Sequence, residues 1–413
     1  MRPALKPLLL SHYTATTCAG RGLAAHLEVL RAAGTGLKPG GFAHCDLNTY
    51  IGAVAGADEN VIDGELARFN CRNNRIALIA VQQDNFAEHA REAVARYGSK
   101  RVGVFIGTST AGVLETELAY RQRDPATGAL PTSLDYAATH SPFSVADFIR
   151  RTLGVAGPSV AISSACSSSA KVFAAASRMI EVGLIDAAVV GGVDSLCQTT
   201  LYGFNSLELL SPQMCRPFDE ARNGISIGEG AAFALLERPA AVASGCTHDG
   251  VALLGYGESS DAYHMSSPHP DGLGAQLAMR AALESARLEP GQIDYINLHG
   301  TATPSNDQAE GRAVAALFDG TPCSSTKGMT GHTLGAAGAV EAVLAALALH
   351  HGFMPASANT RTLDPAISLN YLLARRDQPL RAVLSNSFGF GGTNCSLVLG
   401  QAGDASLMHG RLQ

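Results

Sequence analysis

Cys166 stands in the run Ser163-Ser164-Ala165-Cys166-Ser167-Ser168-Ser169-Ala170, between a β-like stretch and an Ala-rich stretch with helical spacing. At such a junction the thiol meets the positive end of a helix dipole, which favours the reactive thiolate. Its small neighbours leave the sulfur accessible and permit the sharp turn of a nucleophile elbow. The other cysteines (Cys18, Cys45, Cys71, Cys197, Cys215, Cys246, Cys323 and Cys395) lack this setting and read as small buried hydrophobes. Two histidines have comparable settings. His299 leaves an apolar strand in Asn297-Leu298-His299-Gly300-Thr301-Ala302-Thr303-Pro304, where it can act as a base or hydrogen-bond donor. His332 lies in Gly331-His332-Thr333-Leu334-Gly335-Ala336-Ala337-Gly338, shortly after Lys327, and the helix that follows carries Glu341. A lysine and a carboxylate in that segment point to a buried charge network. The run Asn386-Ser387-Phe388-Gly389-Phe390-Gly391-Gly392-Thr393-Asn394 is rich enough in glycine for its N–H groups to hold an oxyanion. It lacks the Lys-Ser/Thr of a phosphate loop. His350-His351, late in a helix, suit its C-terminal dipole and carry no chemistry.

These residues need rigid elements to position them. Val102–Ile106, Ser159–Ile162, Ala187–Val190, Ile293–Leu298, Val383–Ser385 and Cys395–Leu399 read as strands. Ser167–Val182, Gln276–Arg287 and Gly338–Leu349 have helical spacing. The alternation predicts an α/β fold with mainly parallel central strands. A weak echo between the Cys166 segment and the segment from Ser324 to Gly338 suggests two duplicated halves, residues 1–245 and 246–413. The break is expected in the Ala/Ser/Gly-rich stretch Ala240–Asp249. Thr110–Phe143 shows little regular pattern and reads as a surface insertion or cap, part of a dimer interface.

Composition excludes several classes. The chain has 413 residues, 46% hydrophobic and 16% charged, enough to bury a large core in two units. Trp is absent, aromatics are 6% and the net charge is -6, so nucleic acid is a poor partner. The nine cysteines are widely spaced with no CxxC pair, which fits a reducing, cytoplasmic setting and no structural zinc. The Leu8-Leu9-Leu10 run is too short for a signal segment, and no stretch reads as a membrane span.

In combination, the motifs around Cys166, His299, Lys327/His332 and Phe390 resemble the elongating β-ketoacyl-acyl carrier protein synthases of the thiolase superfamily. Arg216-Pro217-Phe218-Asp219 and Gly228-Glu229-Gly230-Ala231 add to the match, which runs from about Val102 to Leu399. The family often has Asp where this chain has Asn223. The resemblance implies a thiolase-like fold of two α/β halves layered α-β-α-β-α, usually dimeric. It makes Cys166 the acceptor of an acyl group from acyl carrier protein. His299 and His332 would bind the malonyl thioester carbonyl and stabilise the enolate left by decarboxylation, with Lys327 and Glu341 supporting the electrostatics. The N–H groups of Cys166 and Phe390 would form the oxyanion hole, and Phe390 would gate the acyl pocket. Thr301 and Thr303 would contact pantetheine. The loop Gly107–Gly112 would line the far end of the pocket, with the Thr110 hydroxyl narrowing it. No metal or organic cofactor is implied, because loss of carbon dioxide drives the reaction. The soft nucleophile, paired enolate donors and separate oxyanion hole are what such a condensation requires.

Carrier proteins are acidic, so a basic rim is expected at the entrance. Arg68, Arg72 and Arg75 lie together in a helical run and are the candidates, against the plainer reading of a solvated helix face. The partner subunit is a second copy or a ketosynthase-like chain-length partner. Three other readings compete. A non-decarboxylating thiolase needs a second catalytic cysteine near the last glycine loop, where Cys395 lies, but the two-histidine pattern opposes it. A non-catalytic partner subunit typically loses the cysteine or a histidine, and this chain keeps all three. A cysteine hydrolase leaves the second histidine unexplained.

Overall fold

A computed structural model of the chain describes residues 5–42, 44–239, 250–404 and 407. Its frame is ten strands. The first five are β1 (Leu8–Thr17), β2 (Val102–Gly107), β3 (Ser159–Ile162), β4 (Ala187–Asp194) and β5 (Gly230–Glu237). The second five are β6 (Val251–Ser260), β7 (Tyr295–Asn297), β8 (Cys323–Ser324), β9 (Ala382–Gly389) and β10 (Thr393–Gln401). They run in the order β8-β7-β9-β10-β6-β1-β5-β4-β2-β3, with the short ribbon Gly20–Arg21 on β1. Read outward from the centre, each half has its strands in the same order: first, fifth, fourth, second, third. In each half the fifth strand is antiparallel to its two neighbours, and the outer three are parallel. The halves meet where β1 pairs antiparallel with β6 through Leu8–Leu253, Leu9–Ala252 and Leu10–Val251. Two copies of one unit, joined head to head, account for this pattern. The middle of the sheet path is therefore antiparallel, unlike the mainly parallel centre expected from the alternation. The expected break at Ala240–Asp249 lies outside the described residues.

Alternation along the strands builds the layers. In β4, Ala188 and Val190 face one core, and Ala187, Val189 and Val193 face another. In β6, Val251 and Leu253 share the first core, whereas Ala252 and Leu254 enter a third. The shared core contains the helices Ser168–Glu181 and Ala337–His351, packed between the two half-sheets. Outside the first half lie the helices Arg72–Val81, Phe86–Tyr97 and Phe143–Leu153. Outside the second lie Leu273–Ala286 and Pro304–Ala315. The result is five layers, α-β-α-β-α.

The helix Ala337–His351 is buried all round because it is the middle layer, and apart from Glu341 its residues from Ala337 to Leu349 are apolar. Each large aliphatic side chain buried there contributes about 1.5–3 kcal/mol. By length and composition Leu334–His351 is apolar enough to cross a membrane, which the sequence reading did not anticipate, but it is 89% buried inside this fold. The segment Thr110–Phe143 is also more regular than expected, since it contains the helix Val113–Arg121.

The two central helices begin side by side. The Ala339 N–H donates to Ser169 Oγ at 2.9 Å, and a Cβ on Gly338 would collide with the backbone of Ala170. A Cβ on Gly107 or Gly192 would strike Ser169. Glycine at these three positions lets both helix starts converge on one point, where the chemistry-bearing residues gather.

Candidate active site

Cys166 follows β3 in a turn held by its own serines. Ser167 Oγ donates to the Ser164 carbonyl at 2.9 Å and Ser168 Oγ to the Ala165 carbonyl at 2.5 Å, while the Ser164 N–H donates to Ser168 Oγ at 2.8 Å. These bonds hold Ala165 at φ 52°, a left-handed conformation that costs about 1–3 kcal/mol in a non-glycine residue. The turn sets Cys166 Sγ 3.0 Å from His332 Nε2.

His332 is held by its backbone. Its N–H donates to the Ser226 carbonyl at 2.8 Å, and its carbonyl accepts from the Gly228 N–H at 3.0 Å. Gly331 precedes it at φ 70°, and a Cβ there would press on the Gly228 backbone. His299 ends the β7 segment. Its N–H and that of Gly300 donate to Glu310 Oε1 and Oε2, each at 2.8 Å. The two imidazoles meet edge to face, with centroids 5.3 Å apart.

Lys327 is 1% exposed and lies behind His299. Its Nζ donates to His299 Nδ1 at 3.2 Å, donates to the His299 carbonyl, and pairs with Glu341. An ammonium can only donate, so His299 Nδ1 is an acceptor and the neutral ring carries its proton on Nε2. Burial lowers both histidines well below their usual range, and the Lys327 charge lowers them further. Both are neutral imidazoles near pH 7. Burial pushes the Glu341 carboxyl up to about 7, against the pull of Lys327.

The thiol behaves differently from expectation. Burial pushes Cys166 up to about 11, and the Lys327 charge and Phe390 N–H only partly offset this. Cys166 therefore rests as a thiol, and His332 is the base within reach. The sulfur and one nitrogen of each histidine lie within 4.8 Å of one another, a spacing that metal ions accept. The Lys327 ammonium beside His299 repels a cation and favours an anionic oxygen.

A cavity opens over Cys166, His299 and His332. Thr301 and Thr303 line it with their hydroxyls 2.9 Å apart, and Phe390 lines it with its ring 5.6 Å from that of Phe204. The predicted Cys166, His299, His332, Lys327, Glu341, Thr301, Thr303 and Phe390 are thus brought together around one cavity and its buried backing.

The remaining residues singled out in the sequence take up other partners. The Thr110 hydroxyl donates to Asp194 Oδ1 at 2.9 Å and accepts the Ser195 N–H at 3.1 Å, and Thr110 does not line the cavity. Arg72 is 5% exposed and pairs with Glu229 at 2.5 Å and Asp58 at 2.6 Å, so it holds the fold rather than a partner. Arg75 bonds Asn70 Oδ1 at 2.7 Å. Arg68 is exposed and paired with Asp135 at 2.9 Å, but sits in the 3-10 turn Gly64–Phe69 and does not share a helix with Arg72. Cys395, the residue on which a thiolase would depend, is buried in β10 facing the middle layer. Asn223 accepts from Ser211 Oγ at 2.6 Å, a structural bond.

The sequence reading missed three buried carboxylates. Asp194 ends β4 and accepts from Thr108 Oγ1 at 2.7 Å, from the Ser109 and Thr110 N–H groups at 2.8 Å each, and from the Gly335 N–H at 2.5 Å. It ties the loop after β2 to the segment that carries His332. Glu310 orients His299, as described. Glu229 gathers Arg72 with the N–H groups of Val54 and Leu196 at 2.8 and 2.9 Å. Arg72→Ala is expected to leave the buried Glu229 carboxylate without its cation and to cost about 3–5 kcal/mol in urea unfolding. Unchanged stability with a raised KM only for carrier-bound substrate would restore the docking role.

Residues 48–241 match the N-terminal domain of the beta-ketoacyl synthases, and residues 251–361 match their C-terminal domain. The chain belongs to the β-ketoacyl synthase family. Its relatives among these synthases include 3-oxoacyl-[acyl-carrier-protein] synthase 2 of Staphylococcus aureus, 32% identical over 357 residues, 81% of this chain and 88% of that one. The mitochondrial 3-oxoacyl-[acyl-carrier-protein] synthase of Arabidopsis thaliana is 42% identical over 261 residues, 59% of this chain and 57% of that protein's length. A complex of the ketosynthase ApeO with its chain length factor ApeC from Xenorhabdus doucetiae contains a chain with TM-score 0.84 and 38% identity, covering 96% of this chain and 98% of that one. The ishigamide ketosynthase/chain length factor gives TM-score 0.86 and 27% identity, covering 96% and 100%. The five layers described above are thus the thiolase-like fold of the β-ketoacyl synthases.

Proposed function

We propose that the chain is a β-ketoacyl-[acyl carrier protein] synthase that extends an acyl group by decarboxylative Claisen condensation. The observation that carries this reading is the placement of two neutral imidazoles beside one nucleophilic sulfur, one 3.0 Å from it and the other fixed as an Nε2 donor by Lys327.

In the first half-reaction, Cys166 Sγ attacks the thioester of an acyl carrier protein and its proton passes to the leaving pantetheine thiolate. The N–H groups of Cys166 and Phe390 hold the tetrahedral oxyanion. Malonyl carrier protein then enters past Thr301 and Thr303. Its carboxylate leaves as carbon dioxide, and the thioester oxygen takes the enolate charge against His299 and His332. The enolate carbon attacks the acyl–Cys166 carbonyl, the carbon–sulfur bond breaks with its electron pair on Cys166 Sγ, which takes up a proton from water to return to the thiol, and the β-ketoacyl chain leaves on the carrier. No cofactor beyond the substrates' own pantetheine arm takes part. The eight described cysteines are free, which supports a reducing compartment such as the cytoplasm. The similarity to ketosynthases assembled with chain length factors supports a dimer, formed with a second copy or with such a partner.

The test is mass analysis of carrier-bound products after mixing the protein with malonyl carrier protein and a panel of acyl carrier proteins. A β-ketoacyl carrier two carbons longer than the primer is expected. Free acid as the product would indicate a hydrolase and overturn the reading.

A further inference from the structure

We propose that Glu117 is a positioning residue that sets acyl-chain acceptance by holding Phe204 against Phe390. The inference rests on the ketosynthase reading above.

The helix Gln198–Ser206 reaches the cavity through Phe204, and of its nine residues only Leu201 is buried. Leu201 anchors it in a cluster with Leu114 and Ile225, and Tyr202 donates to Asp46 at 2.7 Å, so the unpacked first turn depends on its cap. Its first N–H groups have no intrahelical acceptor, and the residue before it, Cys197, supplies no side-chain cap. Glu117, on the helix Val113–Arg121, supplies the cap from outside. Its Oε2 accepts the Gln198 N–H at 2.9 Å, and its Oε1 accepts the Thr199 N–H at 2.7 Å and the Thr199 hydroxyl at 2.6 Å. The carboxylate also sits at the positive end of that helix dipole. Arg121, one turn further along the same helix, donates to Gln198 Oε1 at 2.7 Å.

The far end of the pinned helix reaches the cavity. Phe204 lines it and packs on the ring of Phe390, and Leu209, just beyond the helix, lines it too. An acyl chain on Cys166 shares this space with the Phe390 ring. Phe390 stands between Gly389 and Gly391, the latter at φ 81°, so its own loop resists displacement weakly. How far the ring yields then depends on how firmly Phe204 backs it. Glu117 touches no reacting atom and acts through that backing.

Acylation of Cys166 is to be timed with butyryl and dodecanoyl carrier protein for wild type, Glu117→Ala and Glu117→Gln, with malonyl decarboxylation measured alongside. Glu117→Ala is expected to change the ratio of the long-chain to the short-chain rate by about five-fold, the scale of a lost helix cap. Glu117→Gln, which keeps an acceptor oxygen, is expected to restore part of the ratio, with decarboxylation unchanged in both. An unchanged ratio, or equal slowing with both acyl groups, would overturn the proposal. A wild type that takes up neither group would overturn the ketosynthase reading itself.

Discussion

Cys166→Ala is expected to take up no acyl group from acylated carrier protein and to make no condensation product. The substitution removes one sulfur from a 6%-exposed site and leaves the serine bonds that shape the turn. The fold should therefore persist, and the loss reads on chemistry alone. His299, His332 and Lys327 remain in place, so the variant should still release carbon dioxide from malonyl carrier protein. Intact-protein mass spectrometry separates the outcomes. Wild type should gain one acyl mass and the variant none, and an acylated variant would place the nucleophile elsewhere.

The histidines should divide the two half-reactions unequally. Removing a donor that stabilises a developing oxyanion costs about 100-fold to 1000-fold in rate, and both His299→Ala and His332→Ala should lose decarboxylation on that scale. They should differ in acyl loading. His332 Nε2 is 3.0 Å from the sulfur, and burial pushes that thiol up to about 11, so the base matters for the first attack. His332→Ala should load slowly. His299 is held by Lys327 and Glu310 and bonds no atom of Cys166, so His299→Ala should load at close to the wild-type rate. Single-turnover acylation and carbon dioxide release, measured on the same preparations, check both halves. Wild-type decarboxylation in either variant would show that the enolate oxygen is held elsewhere.

Much of this site was legible because its signals are local. A cysteine among serines at a strand-to-helix junction, and histidines beside glycines, announce tight turns that carry polar side chains in a few residues of sequence. Phe390 between glycines was readable for the same reason. What stayed hidden depends on partners far away in the chain. Arg72 looks like any helix-face arginine until Glu229, 157 residues later, is folded beside it. Asp194 ends an apolar strand and looks like a solvated turn residue. Its five donors come from residues 108–110 and from Gly335, which no local pattern links. Thr110 was placed on the right loop, but the direction of its hydroxyl depends on that same aspartate. In the fold, β2, β3, β4, β7, β9, β10 and the two central helices were readable from periodicity, whereas the two-residue β8 was too short to show. The antiparallel pairing of the middle was not, because β1 showed only as a short leucine run and its pairing with β6 joins opposite halves of the chain.

Decarboxylative condensation on an acyl–Cys166 enzyme can be followed through the free carboxyl carbon of malonyl carrier protein. Protein already acylated on Cys166 is mixed with malonyl carrier protein labelled at that carbon. The label is expected to leave as carbon dioxide, one for each β-ketoacyl carrier formed, with the product unlabelled. Label retained in the product, or acyl groups released as free acid without carbon dioxide, would contradict it.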